Sequence, residues 1–340
     1  MPVSQDTSYT CSGMSAMAAL LSALSKVHGK VELLIPPDCY TETRELLERF
    51  GSIRVFVSES WRHLRPAHGV VRVVLIDSSV RSGFLPLRDT LARKADLLLF
   101  DTTCLWQSSA GIRCVFAWAL QSGLPLALVR SHAKLDSLGI EYGRLGSVVI
   151  AAPLKDVHSG RSRWIKKLSE QTHESVRLLA VAPVLAHFPP FAGTEEFERC
   201  SIARTAAIIR NNRRMVRRLS FAFEDLGRIT LYRHGLYFTL SPQDDMRADD
   251  VSHLAATLCA ELSRRGLPVR HSGSFGFDFT AIDCFREPMS GSNVIRVAAS
   301  DIPVAVVDEI VAAIANWWSL NGFSTKGGSA PTRRSSYAGG

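Results

Sequence analysis

Short apolar runs recur along the first half of the chain, separated by longer stretches that mix apolar and polar positions. Val31–Ile35, Ile53–Val57, Val70–Ile76, Ala95–Phe100, Leu124–Val129 and Ser147–Ala152 have the length and branched composition of buried strands. Ser15–Val27, rich in Ala, Leu and Met, has strong helix propensity, and Thr41–Phe50, Leu85–Lys94 and Cys114–Ser122 continue as helices. This alternation predicts a doubly wound, mainly parallel sheet. The residues ahead of it, Met1–Thr10, are short and polar and carry no predicted element.

The pattern changes after Pro153. Glu195–Leu226 reads as one long helix or a kinked pair. Arg228–Leu240, Leu267–His271, Phe275–Thr280 and Asn293–Ala298 read as strands, and Asp249–Arg265 and Val304–Trp317 as amphipathic helices. The expected organisation is a large α/β unit over 1–160, a smaller α+β unit with its linking helix over 161–318, and a Gly/Ser-rich disordered tail over 319–340.

Composition adds little against this picture. With 340 residues, 46% hydrophobic and 21% charged, the chain can bury a sizeable core. No apolar run approaches the ~20 residues that cross a bilayer. The N-terminal residues lack the basic start and apolar centre of a signal peptide. The cysteines (Cys11, Cys39, Cys104, Cys114, Cys200, Cys259, Cys284) are odd in number and unpatterned. That suggests reduced thiols in a cytoplasmic protein, with neither a disulfide framework nor a zinc site. The net charge of +8 draws partly on Arg210–Arg218. A nucleic-acid patch is one reading of that run. A solvated helix face is the other, and it is favoured because no aromatic residues interleave the arginines for base stacking.

Candidate chemistry centres on Lys134. It follows the strand ending at Val129, within Ser131-His132-Ala133-Lys134, and a second buried strand follows. A lysine held between buried strands is a candidate amine nucleophile toward carbonyls. Ser-nucleophile acylases share a Ser-x-x-Lys spacing, but they need Ser131 exposed on a helix together with companion motifs that are missing here. Ser12-Gly13-Met14 opens a helix, where free amides suit an anion, although Ser12 could equally serve as a plain N-cap. Tyr40 lies in a loop that could face an aromatic ligand. Asp101 closes a buried strand, placed for a ligand or for a helix cap. Arg296, taken as lying at the end of the strand Asn293–Ala298, is a candidate fork for a carboxylate or a strand-end surface residue.

In chain order these pieces resemble motifs of the fold-type I pyridoxal-phosphate (PLP) enzymes, specifically the cystathionine/methionine-metabolism lyases and the class I/II aminotransferases. Ser12-Gly13-Met14 resembles a Ser-Gly-Met phosphate turn. Asp38-x-Tyr40-x-x-Thr43 resembles Asp-x-Tyr-Gly-Gly-Thr, and Asp101-Thr102-Thr103 resembles Asp-Asn-Thr. Ser131-His132-Ala133-Lys134 resembles Ser-Ala-Thr-Lys, and the strand bearing Arg296 resembles the late strand of the family. The resemblance implies PLP bound as a Schiff base on Lys134. Its phosphate would be held by Ser12, Gly13, Met14 and Ser131, its ring stacked on Tyr40, and its ring nitrogen paired with Asp101 next to Thr103. Arg296 would grip the carboxylate of an amino-acid substrate. The reaction would be β/γ-elimination, replacement or transamination, in a homodimer or larger oligomer, with neither nucleic acid nor membrane as partner. The alternative is a truncated, non-catalytic PLP-fold binding or partner subunit.

Four features depart from the family pattern. Ala133 stands where the lyases carry a phosphate-binding threonine, so His132 or Arg144 would have to compensate. Asp77-Ser78-Ser79 lacks the Asn-Pro of many relatives. The N-terminal arm is expected to be short, and the return segment Glu141-Tyr142-Gly143-Arg144 is closer to the aminotransferases.

Overall fold

The computed structural model describes residues 3–58, 69–80, 89–137, 144–153, 160–183, 191–223, 227–242, 246–273 and 275–321. In chain order the first half comprises β1 (Val3–Thr10), α1 (Gly13–Val27), β2 (Val31–Ile35), α2 (Thr41–Leu47), β3 (Ile53–Val57), β4 (Val71–Asp77), α3 (Asp89–Ala92), β5 (Leu97–Asp101), α4 (Ala110–Gln121), β6 (Leu126–Ser131) and β7 (Gly146–Pro153). The strands form one seven-stranded sheet in the order β1-β7-β6-β5-β4-β2-β3. β3, β2, β4, β5 and β6 are mutually parallel. β7 runs against both of its neighbours, β6 and β1.

Both faces of this sheet are covered, which is why its central strands are apolar without alternation. Val73, Leu75, Leu97 and Leu99 point to the face covered by Met17, Leu20, Leu21 and Leu24 of α1. Val74, Ile76, Leu98 and Phe100 point to the other, against Val115 and Ala119 of α4. The expected doubly wound sheet is therefore present. The polar start of the chain is a correction, since residues 3–10 form an edge strand laid along β7.

The second half contains α5 (Gly160–Leu178), α6 (Glu195–Ala222), β8 (Arg228–Leu231), β9 (Phe238–Ser241), α7 (Ala248–Arg264), β10 (Val269–His271), β11 (Thr280–Arg286), β12 (Asn293–Ala298) and α8 (Val304–Leu320). Its five strands lie in the order β10-β11-β12-β9-β8. One face packs on α6, α7 and α8 through Ile282, Ile295, Val297, Leu258 and Ile310. The other face carries an aromatic cluster that includes Tyr232, Tyr237, Phe275, Phe277 and Phe285.

The structure decides between the two readings of the long helix and changes other expectations. α6 is one uninterrupted helix. The predicted strand Arg228–Leu240 is a hairpin, turned where Gly235 takes φ 73°. Phe275–Thr280 is loop up to Thr280, where β11 begins. The helix α5, packed on α1, had no sequence expectation. α8 continues to Leu320, into the segment expected to be a tail, and residues 322–340 lie outside the described residues. Part of the basic run is tied down: Arg214 and Arg218 both pair with Asp308 of α8. Among the described residues no helix is long and apolar enough to cross a membrane.

The sheet and α1 meet at a contact that admits only glycine. A Cβ on Gly146 would lie 2.2 Å from the Ser12 carbonyl oxygen and 2.7 Å from the Gly13 nitrogen, and one on Gly13 would lie 2.8 Å from Cβ of Ser131. The backbone atoms met at Gly146 cannot rotate away. Gly146→Ala should therefore cost about 3 kcal/mol or more of stability, read as a lowered denaturation midpoint at unchanged slope. A variant as stable as the parent would show that α1 is free to shift.

Candidate functional site

A cavity of about 410 Å³ opens between the carboxyl ends of the parallel strands and the aromatic face of the second sheet. Brought together in its lining are Ser12, Gly13, Met14, Tyr40, Asp101, Thr103, Ser131, Lys134, Arg144 and Arg296. His132, the alternative to Arg144 in place of the missing threonine, is not in the lining. The ends of the parallel strands explain the convergence. Asp77, Asp101 and Ser131 are the last residues of the adjacent strands β4, β5 and β6. Neighbouring strands lie ~4.8 Å apart, so their final side chains share one edge of the sheet.

The N-terminus of α1 enters from one side. Ser12 is its N-cap, with Oγ accepting from the Ser15 amide at 3.0 Å. The capping alternative is thus real, and it does not displace the anion reading. Gly13 and Met14 are the first helical residues, and both line the cavity. First-turn amides of a helix have no intrahelical acceptor and carry the positive end of its dipole.

Two carboxylates form the floor, Asp77 buried and Asp101 half-buried. The Asp101 carboxylate accepts the Thr103 amide at 2.8 Å. Asp77, its cross-strand partner in register, accepts the amides of Ser79 at 2.7 Å and Tyr40 at 2.8 Å. Burial, followed by the charge of Asp77, pushes Asp101 up to about 7. Burial raises Asp77 too, against the opposing hydrogen bonds from Tyr40 and Ser79. The Tyr40 phenol is likewise pushed up, by burial and then by Glu42.

Lys134 sits on the turn after β6, half-buried, with Nζ 5.5 Å from the centre of the Phe275 ring. The turn is anchored from below. Arg130 makes a two-pronged ion pair with Asp136 and donates to the carbonyls of Thr102 at 2.6 Å and Leu105 at 2.9 Å. His132 bridges Asp136 at 2.6 Å and the Ser147 hydroxyl at 2.8 Å. This Ser–His–Asp chain lies outside the cavity lining, with Ser147 buried, so it braces the turn. Of the two residues proposed to compensate for Ala133, His132 is committed elsewhere through both ring nitrogens, whereas Arg144 lines the cavity. Arg144 takes φ 32°, a strained value for a residue with a side chain. Glu141, Tyr142 and Gly143 lie outside the described residues.

Arg296 is a further correction. It lies within β12, paired with Asp283 and Thr239, and not at the strand's end. It is 8% exposed, which excludes the surface reading. Because side chains alternate along a strand, Arg296 shares the aromatic face with Val294 and Ala298. Its guanidinium lies 5.5 Å from the Tyr237 ring and 5.3 Å from the Phe285 ring, and it donates to Asp283 at 3.2 Å.

Sequence reasoning missed Asp77, Tyr237 and Phe275 as cavity residues. For Asp77 the signal was present, because it closes an apolar run as Asp101 does. Tyr237 and Phe275 gave none, since an aromatic residue in the second sheet is ordinarily core.

No family model matches the chain, and no curated protein matches it by sequence. Solved structures do. An aminotransferase from Mycobacterium tuberculosis superposes with a TM-score of 0.55 at 16% identity, over 92% of this chain and 76% of that one. A cystathionine γ-lyase from Micromonospora echinospora gives 0.54 at 15%, over 91% and 82%. A serine palmitoyltransferase from Sphingomonas wittichii gives 0.55 at 14%, over 94% and 73%. The chain therefore has the fold of the fold-type I PLP-dependent transferases and lyases.

The anchoring of the Lys134 turn can be measured. Asp136→Ala would leave Arg130 buried without its partner, the two side chains being 10% and 9% exposed. The expected loss is about 3–5 kcal/mol in denaturant. Burial disfavours the Asp136 anion, yet hydrogen bonds from Arg130 and His132 outweigh it and hold the carboxyl at about 2, below its ordinary 3.8. A depressed carboxyl contributes stability that is complete above 3.8 and lost as pH falls through about 2. The acid limb of unfolding in that window should vanish in the variant. An unchanged limb would assign acid unfolding to other groups.

Proposed function

We propose that the chain is a PLP-dependent enzyme acting on an amino acid. The observation that carries this reading is that Lys134, Asp101 and the N-terminus of α1 line one cavity, on a fold shared with such enzymes. The donor set fits the cofactor: amides at a helix end for a phosphate, an amine for an aldehyde, and a buried carboxylate for a ring nitrogen.

PLP supplies an electron sink for negative charge developing at the substrate's α-carbon. The remaining work belongs to the protein. Gly13 and Met14 bind phosphate through backbone amides, with Ser12, Ser131 and Arg144 at the same end. The Tyr40 ring orients the pyridine by stacking, and Thr103 fixes the Asp101 carboxylate. Asp101 holds a proton at the ring nitrogen, a task for which a carboxyl titrating near 7 is a strong acceptor. Lys134 would hold the cofactor through Nζ, and its amine would move the substrate's α-proton. Arg296 grips the substrate carboxylate with its fork.

Elimination or replacement at the β or γ carbon and transamination all begin with that proton removal, and these residues serve each of them. We place the working unit as a homodimer or larger, on the resemblance to the family. The cytoplasm is its proposed compartment, supported by cysteines that are all free thiols. The competing reading, a non-catalytic binding subunit, predicts cofactor capture without turnover.

Borohydride reduction in the presence of PLP should leave a pyridoxyl label on Lys134, located by mass spectrometry. A label on another lysine, or none, would overturn the reading. Amino acids added singly to the loaded protein then sort the chemistry. Keto acid with pyridoxamine phosphate means transamination, keto acid with ammonia means elimination, and no product from any of them favours the binding subunit.

Arg296→Ala should weaken amino-acid binding by about 30-fold or more, since truncating a partly buried charged contact costs roughly 2–5 kcal/mol. Decarboxylated amines, which do not use the fork, should lose little. Equal losses for both ligands would make Arg296 structural, through Asp283 and the two rings.

A further inference from the structure

Asp77 is a buried titratable group in the cavity lining that the mechanism above leaves unused. It is 2% exposed, sits at the end of β4, and faces Asp101 in register across the parallel pair β4–β5. The two are built alike. Each closes its strand, and each carboxylate accepts the amide of the residue two positions on, Ser79 for Asp77 and Thr103 for Asp101. A single capping carboxylate suffices at a strand end. Two of them side by side on a cavity floor repel unless a proton lies between them.

We propose that Asp77 and Asp101 act as one unit, a carboxylate pair that shares a proton until a ligand binds and together forms the anionic seat for a protonated nitrogen heterocycle. Asp77 is the positioning member. Through the Tyr40 amide it fixes the residue whose ring would cover the heterocycle, and through its charge it strengthens Asp101 as a proton acceptor. The heterocycle being the PLP ring rests on the reading of the site given above.

The groups facing the pair are few. The Cys39 thiol packs on Asp77, with Arg44 beyond it. The Cys104 thiol feels both carboxylates and Lys134. Tyr237, buried in the opposite wall, feels Asp77 and Arg296. The charge of Arg130, on β6, favours the Asp101 anion, and it is itself matched by Asp136. No cation is hydrogen-bonded directly to either carboxylate among the described residues.

The test is a carboxyl NMR titration of the full chain labelled at aspartate, free of ligand, compared with Asp77→Asn and Asp101→Asn. The wild type should show two coupled steps, the upper one near 7. In Asp77→Asn the remaining Asp101 step should fall by about one unit or more. In Asp101→Asn the Asp77 step should fall as well, because coupling is reciprocal. An Asp101 step unmoved in Asp77→Asn overturns the pair and leaves Asp77 a strand cap. If Asp77→Asn does not fold, an Asp77 step unmoved in Asp101→Asn decides in the same sense.

The ring is probed separately, by fluorescence titration with PLP and with a carbocyclic analogue that lacks the ring nitrogen. Asp77→Asn should lose about tenfold or more for PLP and little for the analogue. Equal losses would reduce Asp77 to a support for Tyr40 and overturn the seat. Coupled steps in a wild type that binds neither ligand would support the pair and overturn the reading of the cavity as a PLP site.

Discussion

Arg130 cannot be buried alone. Its guanidinium sits below the cavity at 8% exposure, and Asp136, six residues on, meets it with both carboxylate oxygens. For that to happen the chain must turn sharply after Ser131 and come back, and Lys134 rides at the apex of this return. The same carboxylate takes a ring nitrogen of His132, whose other nitrogen reaches Ser147 on β7. The Arg130 hydrogen bonds to Thr102 and Leu105 bind the end of β5 into the arrangement. Satisfying one buried cation thus fixes the ends of three strands and one turn. The site is rigid because its supports are buried charges whose loss is costly.

The cavity above this base carries charge of both signs, and the two signs are handled differently. Its buried cations have partners inside the protein: Arg130 has Asp136, and Arg296 has Asp283 with two aromatic faces. Among the described residues, the floor anions are met by backbone amides, the Ser79 and Thr103 hydroxyls and the Cys39 thiol. A fold that invested only in stability would place asparagine or a hydrophobic residue at such strand ends. Leaving two carboxylates there, with burial opposing their ionisation, stores a bias toward a positively charged ligand.

Much of the architecture could be read from the sequence, because the central strands are buried on both faces and so appear as unbroken apolar runs. The site was legible for a related reason. Its residues close those runs or open the following helix, so a run's end marks a position at the cavity. The failures have physical causes as well. β1 shows no apolar pattern because it is an edge strand with most of one face in water. In α5 the buried stripe includes Thr172 and Ser175, small polar residues that let it lie close to α1, where Ser175 reaches Ser22. Phe275 and Phe277 alternate like a strand, but between them Gly276 brings its backbone onto the Ala298 carbonyl. A Cβ there would fall 2.0 Å from that oxygen, so the segment packs as loop.

Arg296 shows how far positional logic extends beyond the parallel sheet. Nothing in its neighbours marks it as functional, and a shift of one residue in the register of β12 would turn it toward α6, α7 and α8, into a wholly apolar core. Ile295 and Val297 anchor that register, which leaves Arg296 on the aromatic face. Its direction is therefore a consequence of where its hydrophobic neighbours must go. Asp77 and Asp101 are placed by the same constraint in the other sheet, through Ile76 and Phe100 just before them. Three charged side chains thus reach one cavity from two sheets, positioned by regular strands whose cores would be ruined by any other register.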